Sequence, residues 1–155
     1  MTKTNALRIL EAAEITFISR EYDVADGEIS GTAVAAKIGQ EPERVFKTLV
    51  TEGKTTGLNV FVIPSNVELD LKKAALEAGD KYVNMIKSRE LEQKTGYVHG
   101  GCSPIGMKRQ FKTYIDETAQ LYETINISGG RVGLQVELSP DDIAMLTSAV
   151  FCDLF

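Results

Sequence analysis

The segment Tyr97-Val98-His99-Gly100-Gly101-Cys102-Ser103-Pro104-Ile105-Gly106 constrains this chain more than any other. Three glycines and a proline between positions 100 and 106 can continue neither a helix nor an ordinary strand interior. Glycine costs backbone entropy and packs nothing, so it persists where a left-handed backbone or a close approach requires it. Bare backbone amides beside a serine hydroxyl are common material for holding a phosphate or a developing oxyanion. A second loop, Ser128-Gly129-Gly130-Arg131-Val132-Gly133, repeats this chemistry nearer the C-terminus. Each loop also reads as a tight turn in a β-rich domain, because Gly-rich turns are ordinary punctuation.

The elements around these loops follow from periodicity and end signals. Thr4 or Asn5 can cap a first helix with Ala6, Leu7, Ile9, Leu10 and Ala13 on its apolar side. Residues 16–22 read as a strand, and a polar connection around Asp26-Gly27 follows. Thr32 is placed as the cap of a helix that Gly39 stops, and Glu41-Pro42 opens one further turn. Val45-Phe46-Lys47-Thr48-Leu49-Val50 is a β-branched and aromatic run, paired through a turn with Leu58–Pro64. A helix from Glu68 to Ala78, a strand at 82–86 and a helix capped by Ser88 lead into the first Gly-rich loop. Strands at 113–116, 123–127 and 133–138 follow, and Ser139-Pro140-Asp141-Asp142 starts a last helix. Cys152 reads as core. The order predicts an α/β or α+β fold with a mixed sheet.

At 155 residues the chain suits one ordinary core and is too short for two, so a single domain over 1–155 is expected. No apolar run approaches the ~20 residues that span a bilayer. The N-terminus leads directly into an amphipathic helix without a signal-like stretch, which predicts a cytoplasmic location and no membrane partner. Two cysteines and one histidine suit neither a disulfide framework nor a multi-histidine zinc centre, so no metal and no cofactor is expected. The net charge of −5 argues against gripping a nucleic acid along its length. Between Lys87 and Lys112, however, Lys87, Arg89, Lys94, Lys108, Arg109 and Lys112 face only Glu90 and Glu92. A local basic rim on an acidic body suits a partner with a few phosphates near the site.

Two further readings concern chemistry. Lys47 shares its strand parity with Val45 and Leu49, which aims it at an apolar face. An ammonium there needs solvent, an acid or a bound anion; it is either snorkelling or directed into a pocket. Among nucleophile candidates, Cys102 has only His99 nearby and no orienting acid, which fits a buried thiol better than a reactive one. His99 fits a surface or packing position, and Ser103 a hydroxyl that positions substrate. No catalytic triad is visible. An enzyme built from these residues works by positioning and electrostatics, without a covalent intermediate.

Val45-Phe46-Lys47-Thr48-Leu49, Gly100-Gly101-Cys102-Ser103-Pro104-Ile105-Gly106, Ser128-Gly129-Gly130 and Gly133-Leu134 together resemble the YbaK/EbsC family. Leu69-Asp70-Leu71-Lys72-Lys73 and Thr95-Gly96-Tyr97 fit the same pattern, so the resemblance spans nearly the whole chain. The family is similar to the editing domain of bacterial prolyl-tRNA synthetases, and its members are free-standing deacylases of mischarged tRNA, above all cysteine on proline tRNA. The resemblance implies a mixed, partly barrel-like sheet surrounded by helices. It makes Lys47 the pocket lysine that holds the terminal phosphate or the ester. Gly100 and Gly101 would present backbone to the ester, near the Ser103-Pro104 turn, while Tyr22, Thr48 and Ser128 line the substrate pocket. Gly106, Gly129, Gly130 and Gln135 complete the implied substrate-binding set. In this family the substrate's own thiol is thought to attack the ester and leave as a thiolactone, which explains the missing nucleophile. Two positions depart from the best-known branch: Gln135 replaces an acid, and Ser30 lies where an aromatic is found. Cysteine preference therefore stands beside alanine or another small residue. The aminoacylated tRNA end is the implied partner, and weak tRNA selectivity suggests action beside prolyl-tRNA synthetase. A binding module without catalysis, and a hydrolase using Cys102 or Ser103 covalently, are the readings from other classes.

Overall fold

In the computed structural model, which describes residues 3–155, eight strands and five α-helices alternate along the chain. Helix α1 (Asn5–Ala12) buries Ala6 and Leu10, and Thr4 caps it by accepting from the Leu7 amide at 3.1 Å. The expected apolar side included Ile9 and Ala13; Ile9 is instead 37% exposed and Ala13 is the exposed C-cap, because the helix meets the core through Ala6, Leu10 and the partly buried Leu7. Strand β1 (Ile18–Glu21) leads through a polar loop to α2 (Gly31–Ile38). The cap of α2 is Ser30, not Thr32: the Ser30 hydroxyl accepts from the Ala33 amide at 3.3 Å, which starts the helix two residues earlier.

Strands β2 (Phe46–Gly53) and β3 (Leu58–Pro64) form an antiparallel hairpin. Helix α3 (Leu71–Ala78) follows, capped by Asp70, which accepts from the amides of Lys72 and Lys73. After β4 (Val83–Met85), α4 (Ser88–Thr95) begins at Ser88 itself; Lys87 holds the cap position and makes no side-chain cap. Strand β5 (Lys112–Asp116), β6 (Ile125–Ser128), β7 (Leu134–Leu138), α5 (Pro140–Thr147) and β8 (Val150–Cys152) complete the chain. Sequence periodicity missed β8, which three residues are too few to announce.

The mixed α/β architecture stands, divided between two sheets. A three-stranded antiparallel sheet has the order β1-β7-β6, and a five-stranded mixed sheet has the order β4-β2-β3-β5-β8, with β5 parallel to both its neighbours. A single parallel bridge, Val45 to Asn126, joins them, so they curve toward each other without closing a barrel. One core cluster draws Phe46, Val50, Val60 and Val62 of the large sheet together with Ile125, Ile127, Val136 and Leu138 of the small one. A second, with Phe61, Ile63, Ala74 and Ala75, packs α3 on the other face of the large sheet. Cys152 is buried there, as its apolar neighbours predicted. Among the described residues no helix is long and apolar enough to cross a membrane.

Candidate active site

The strand carrying Lys47 has a partner along its whole length on one side only. Its other side meets the small sheet at Val45 and β4 from Thr51 onward, which leaves residues 46–49 as an open edge. The Val50 carbonyl accepts from the Ile86 amide on that side, so the two-residue period of a strand turns the Thr48 amide and carbonyl the same way. A cavity of about 410 Å³ occupies the gap. Its walls are the open edge of β2, the start of α2 at Ser30-Gly31-Thr32, Tyr22, Ser128 and Gln135 of the small sheet, and His99, Gly100 and Cys102 of the first Gly-rich loop. That volume lies in the ~300–1,000 Å³ range of small-molecule sites.

Among the described residues Lys47 is the one Lys or Arg lining the cavity, and no carboxylate lines it. Its ammonium is half-buried and donates to the Ser65 carbonyl at 3.4 Å, a long contact that leaves most of its donor capacity unused. Burial lowers its pKa from the ordinary lysine value, and the Glu68 carboxylate opposes that shift. The N-terminus of α2 borders the same space, so its helix dipole and the Lys47 charge both favour an anion or a developing negative charge. Ser65 ties these parts together, because its hydroxyl donates to the Pro42 carbonyl at 2.9 Å while its backbone meets Gly31.

Polar atoms without partners concentrate here. Tyr22 Oη, Thr48 Oγ1 and Gln135 Oε1 are buried, line the cavity and have no hydrogen-bond partner among the described residues. An unmade hydrogen bond of this kind costs roughly 1–3 kcal/mol, so three around one space mark a place where a ligand supplies what the fold does not. Gln135 belongs to a polar face of the small sheet. Gln135 sits opposite Ser128 and Arg20 in the small sheet, and Glu137, two residues on, sits opposite Asn126. At the Glu137 end the polar groups are engaged, save the buried Arg44 Nε, which has no partner among the described residues: Arg20 donates to Glu137 at 2.6 Å and to Asn126 at 3.2 Å, and Arg44 reaches Thr124 at 2.9 Å and Glu137 at 3.4 Å. At the Gln135 end they are not.

Six of the twelve predicted site residues line this cavity: Tyr22, Lys47, Thr48, Gly100, Ser128 and Gln135. The other six sit behind it. A Cβ on Gly101 would fall 2.7 Å from the Val132 amide and 2.9 Å from the Arg131 Cα, so the two Gly-rich loops touch through bare backbone. Gly106 packs on Tyr97 and Ala6, Gly129 on Leu134, and Gly130 on Thr4 and Tyr97. Pro104 is buried, and the fully buried Ser103 hydroxyl accepts from the Ile105 amide at 3.2 Å. The bare amides thus pack loop on loop, with Gly100 alone of them, at φ +84°, reaching the cavity. Sequence reasoning missed Ile29, Gly31, Val34, Ser65 and Leu91 in the lining, which carry no chemical signature and arrive only through packing. Cys102 also lines the cavity, yet burial pushes its thiol up to about 12, and His99 stands exposed at the rim. Among the described residues no group of acidic, histidine or cysteine side chains could hold a metal ion.

Comparison with known proteins bears directly on this cavity. Residues 30–146 match the model of the aminoacyl-tRNA editing domain, an interval that runs from the cap of α2 past Gln135. The chain belongs to the aminoacyl-tRNA editing domain family. Editing of aminoacyl-tRNA is the activity of that family, and the partner it implies is tRNA. An Enterococcus faecalis protein named "Putative Cys-tRNA(Pro)/Cys-tRNA(Cys) deacylase EbsC" is 47% identical over 152 residues, covering 98% of this chain and 93% of that one. The Bacillus subtilis protein YwhH, named as uncharacterized, is 27% identical over 140 residues and 88% of each chain. The editing-domain fold is also that of a crystal structure described as "a putative trans-editing enzyme for prolyl tRNA synthetase". That match has a TM-score of 0.83 at 24% identity and covers 99% of this chain and 98% of the other.

Proposed function

We propose that this editing domain acts in trans to remove cysteine from mischarged proline tRNA, and that the substrate's own thiol is the nucleophile. The observation that carries the reading is the cavity itself. It offers a cation, a helix N-terminus and three unpartnered polar atoms, but no competent nucleophile of its own. Lys47 and the start of α2 hold the 3′-terminal phosphate or the ester oxygens, where negative charge develops. Tyr22, Thr48 and Gln135 take the aminoacyl group's polar atoms, and Gly100 lets the backbone approach. Held there, the cysteine sulfur attacks its own carbonyl carbon. A C–S bond forms, the ester C–O bond breaks, and the thiol proton passes to the departing ribose oxygen. Proximity supplies the rate, which asks nothing of Cys102 or Ser103. The EbsC name and 47% identity support the cysteine preference. Gln135 in place of an acid, and Ser30 at the cap of α2, keep alanine as the second specificity. Work beside prolyl-tRNA synthetase is part of the same proposal.

The test is deacylation of cysteinyl- and alanyl-tRNA(Pro) by the wild type, Lys47→Ala and Cys102→Ala, with the released product identified. Wild type should release cysteine as its thiolactone, Lys47→Ala should lose about 10²–10³-fold, as for loss of one charge-stabilising donor, and Cys102→Ala should stay within a few-fold. Loss of turnover in Cys102→Ala, or a trapped covalent adduct, would overturn the substrate-assisted mechanism. Release of alanine alone would move the specificity to the second reading.

A further inference from the structure

We propose that a separate basic groove, on the same face of the large sheet as the Thr48 side chain, binds the sugar–phosphate backbone of the RNA whose 3′ end enters the Lys47 cavity; this rests on the editing reading above. The groove has a volume of about 520 Å³ and lies at the turn of the β2–β3 hairpin. Glu52, Thr56 and Leu58 form its hairpin side, and Lys94 of α4, Arg109 ahead of β5 and Lys112 at the start of β5 form the other.

Its position is fixed by two elements that also border the cavity. Thr48 and Glu52 share a strand parity, so both point to one face of β2, and four residues of strand separate them by about 13 Å. Helix α4 puts Leu91 in the cavity and Lys94, one turn on, in the groove. A nucleic-acid strand in helical geometry advances about 3.4 Å along its axis per backbone charge, so on a stacked strand the groove meets phosphates roughly four nucleotides from the terminal one. On an acceptor end that is where the single-stranded tail joins the stem.

Its chemistry suits phosphate and little else. Three cations surround one carboxylate in a chain whose net charge is −5. The side chains of Arg109 and Lys112 are exposed and make no hydrogen bond or ion pair among the described residues, and the Arg109 guanidinium lies 5.7 Å over the Phe111 ring, which keeps its planar fork presented. Lys94 pairs with Glu52 at 3.7 Å with both side chains substantially exposed, an interaction worth at most about 1 kcal/mol and readily exchanged for a phosphate. The contacts are to backbone, so the groove sets register and adds affinity without reading sequence.

The experiment measures binding of uncharged tRNA(Pro) as a function of salt, together with deacylation of cysteinyl-tRNA(Pro) and of cysteinyl-adenosine, which is too short to reach the groove. In the triple variant Lys94→Gln, Arg109→Gln, Lys112→Gln the slope of log affinity against log salt should shrink by about two to three. KM for cysteinyl-tRNA should rise at least tenfold while turnover of cysteinyl-adenosine is kept. Glu52→Gln should move tRNA affinity the opposite way. An unchanged salt slope, a wild type that binds no tRNA, or an equal loss on cysteinyl-adenosine would each overturn the groove. A groove-dependent slope in a protein that deacylates neither substrate would uphold the groove and sink the deacylase instead.

Discussion

Gln135 is buried with an acceptor that nothing among the described residues satisfies, so its side chain carries a cost that a purely structural residue would not. Replacing it with leucine, close in volume, removes the orphan oxygen. Gln135→Leu should raise stability by about 1 kcal/mol or more, ~2–4 °C in Tm for a chain of this size. Its kcat/KM on aminoacyl-tRNA should fall at least about tenfold, the loss of roughly one hydrogen bond. A lower Tm with full activity would show that the amide is there for packing. Lys47 follows the same logic through its charge. Its folded pKa is lowered by burial, so its proton opposes folding at neutral pH; that cost begins to fall as pH rises through the lowered value and is gone only above the ordinary value of 10.5. Groups that destabilise the empty fold and meet in one cavity are the expected signature of a binding site.

Helix α2 depends on one glycine. A Cβ on Gly31 would stand 2.4 Å from the Ser65 Cβ, too close for any real contact, so the helix start can press on the end of β3 only without a side chain there. The same contact sets the distance between the α2 N-terminus and the Lys47 ammonium, which Ser65 also holds. Gly31→Ala should cost about 1–3 kcal/mol, the range for overpacking, and reduce deacylation by moving α2 away from the ester. In a Ser65→Gly background the same substitution should cost markedly less, a coupling that chemical unfolding of the four proteins measures. Additive losses would place the strain elsewhere. The Gly-rich loops work similarly: Gly101 sits on the Arg131–Val132 backbone, so the chemistry its bare amide suggested is spent on loop packing.

Across the whole molecule, two sheets joined by a single bridge need a second fastening, and the Arg20–Glu137–Arg44 cluster provides it. Arg44 precedes β2, whereas Glu137 and Arg20 belong to the small sheet, and Thr124 donates to the same carboxylate. The Thr124 hydroxyl first, and the two guanidiniums with it, hold the Glu137 carboxyl below its ordinary value of 4.5, against the effect of burial. A lowered folded pKa means that the stabilisation is complete above the unfolded value and is lost as pH falls through the folded one. Glu137→Gln should therefore lose roughly 1.5–3 kcal/mol at neutral pH, and its deficit against wild type should shrink as pH drops below 4.5. A deficit that stays constant down to strongly acid pH would mean that the carboxylate's charge is not what fastens the sheets.

Much of this was written along the chain. Strand β3, the caps at Thr4 and Ser139, the Gly39 stop and the inward-aimed Lys47 are local matters, decided by period, turn chemistry and which backbone groups need a partner within a few residues. The family motifs grouped Tyr22, Thr48, Ser128 and Gln135, and the fold places all four on the cavity wall, because such motifs mark positions, not contacts. Which glycines reach the cavity and which pack behind it was not legible, since one residue type serves both purposes and only the neighbour across the gap distinguishes them. Nor was the division into two sheets, the Ser65–Gly31 contact, or the meeting of Lys94 with Arg109 and Lys112 beside Glu52. These join residues far apart in the chain, and no local propensity specifies them; they follow from how the elements bury their apolar faces against one another.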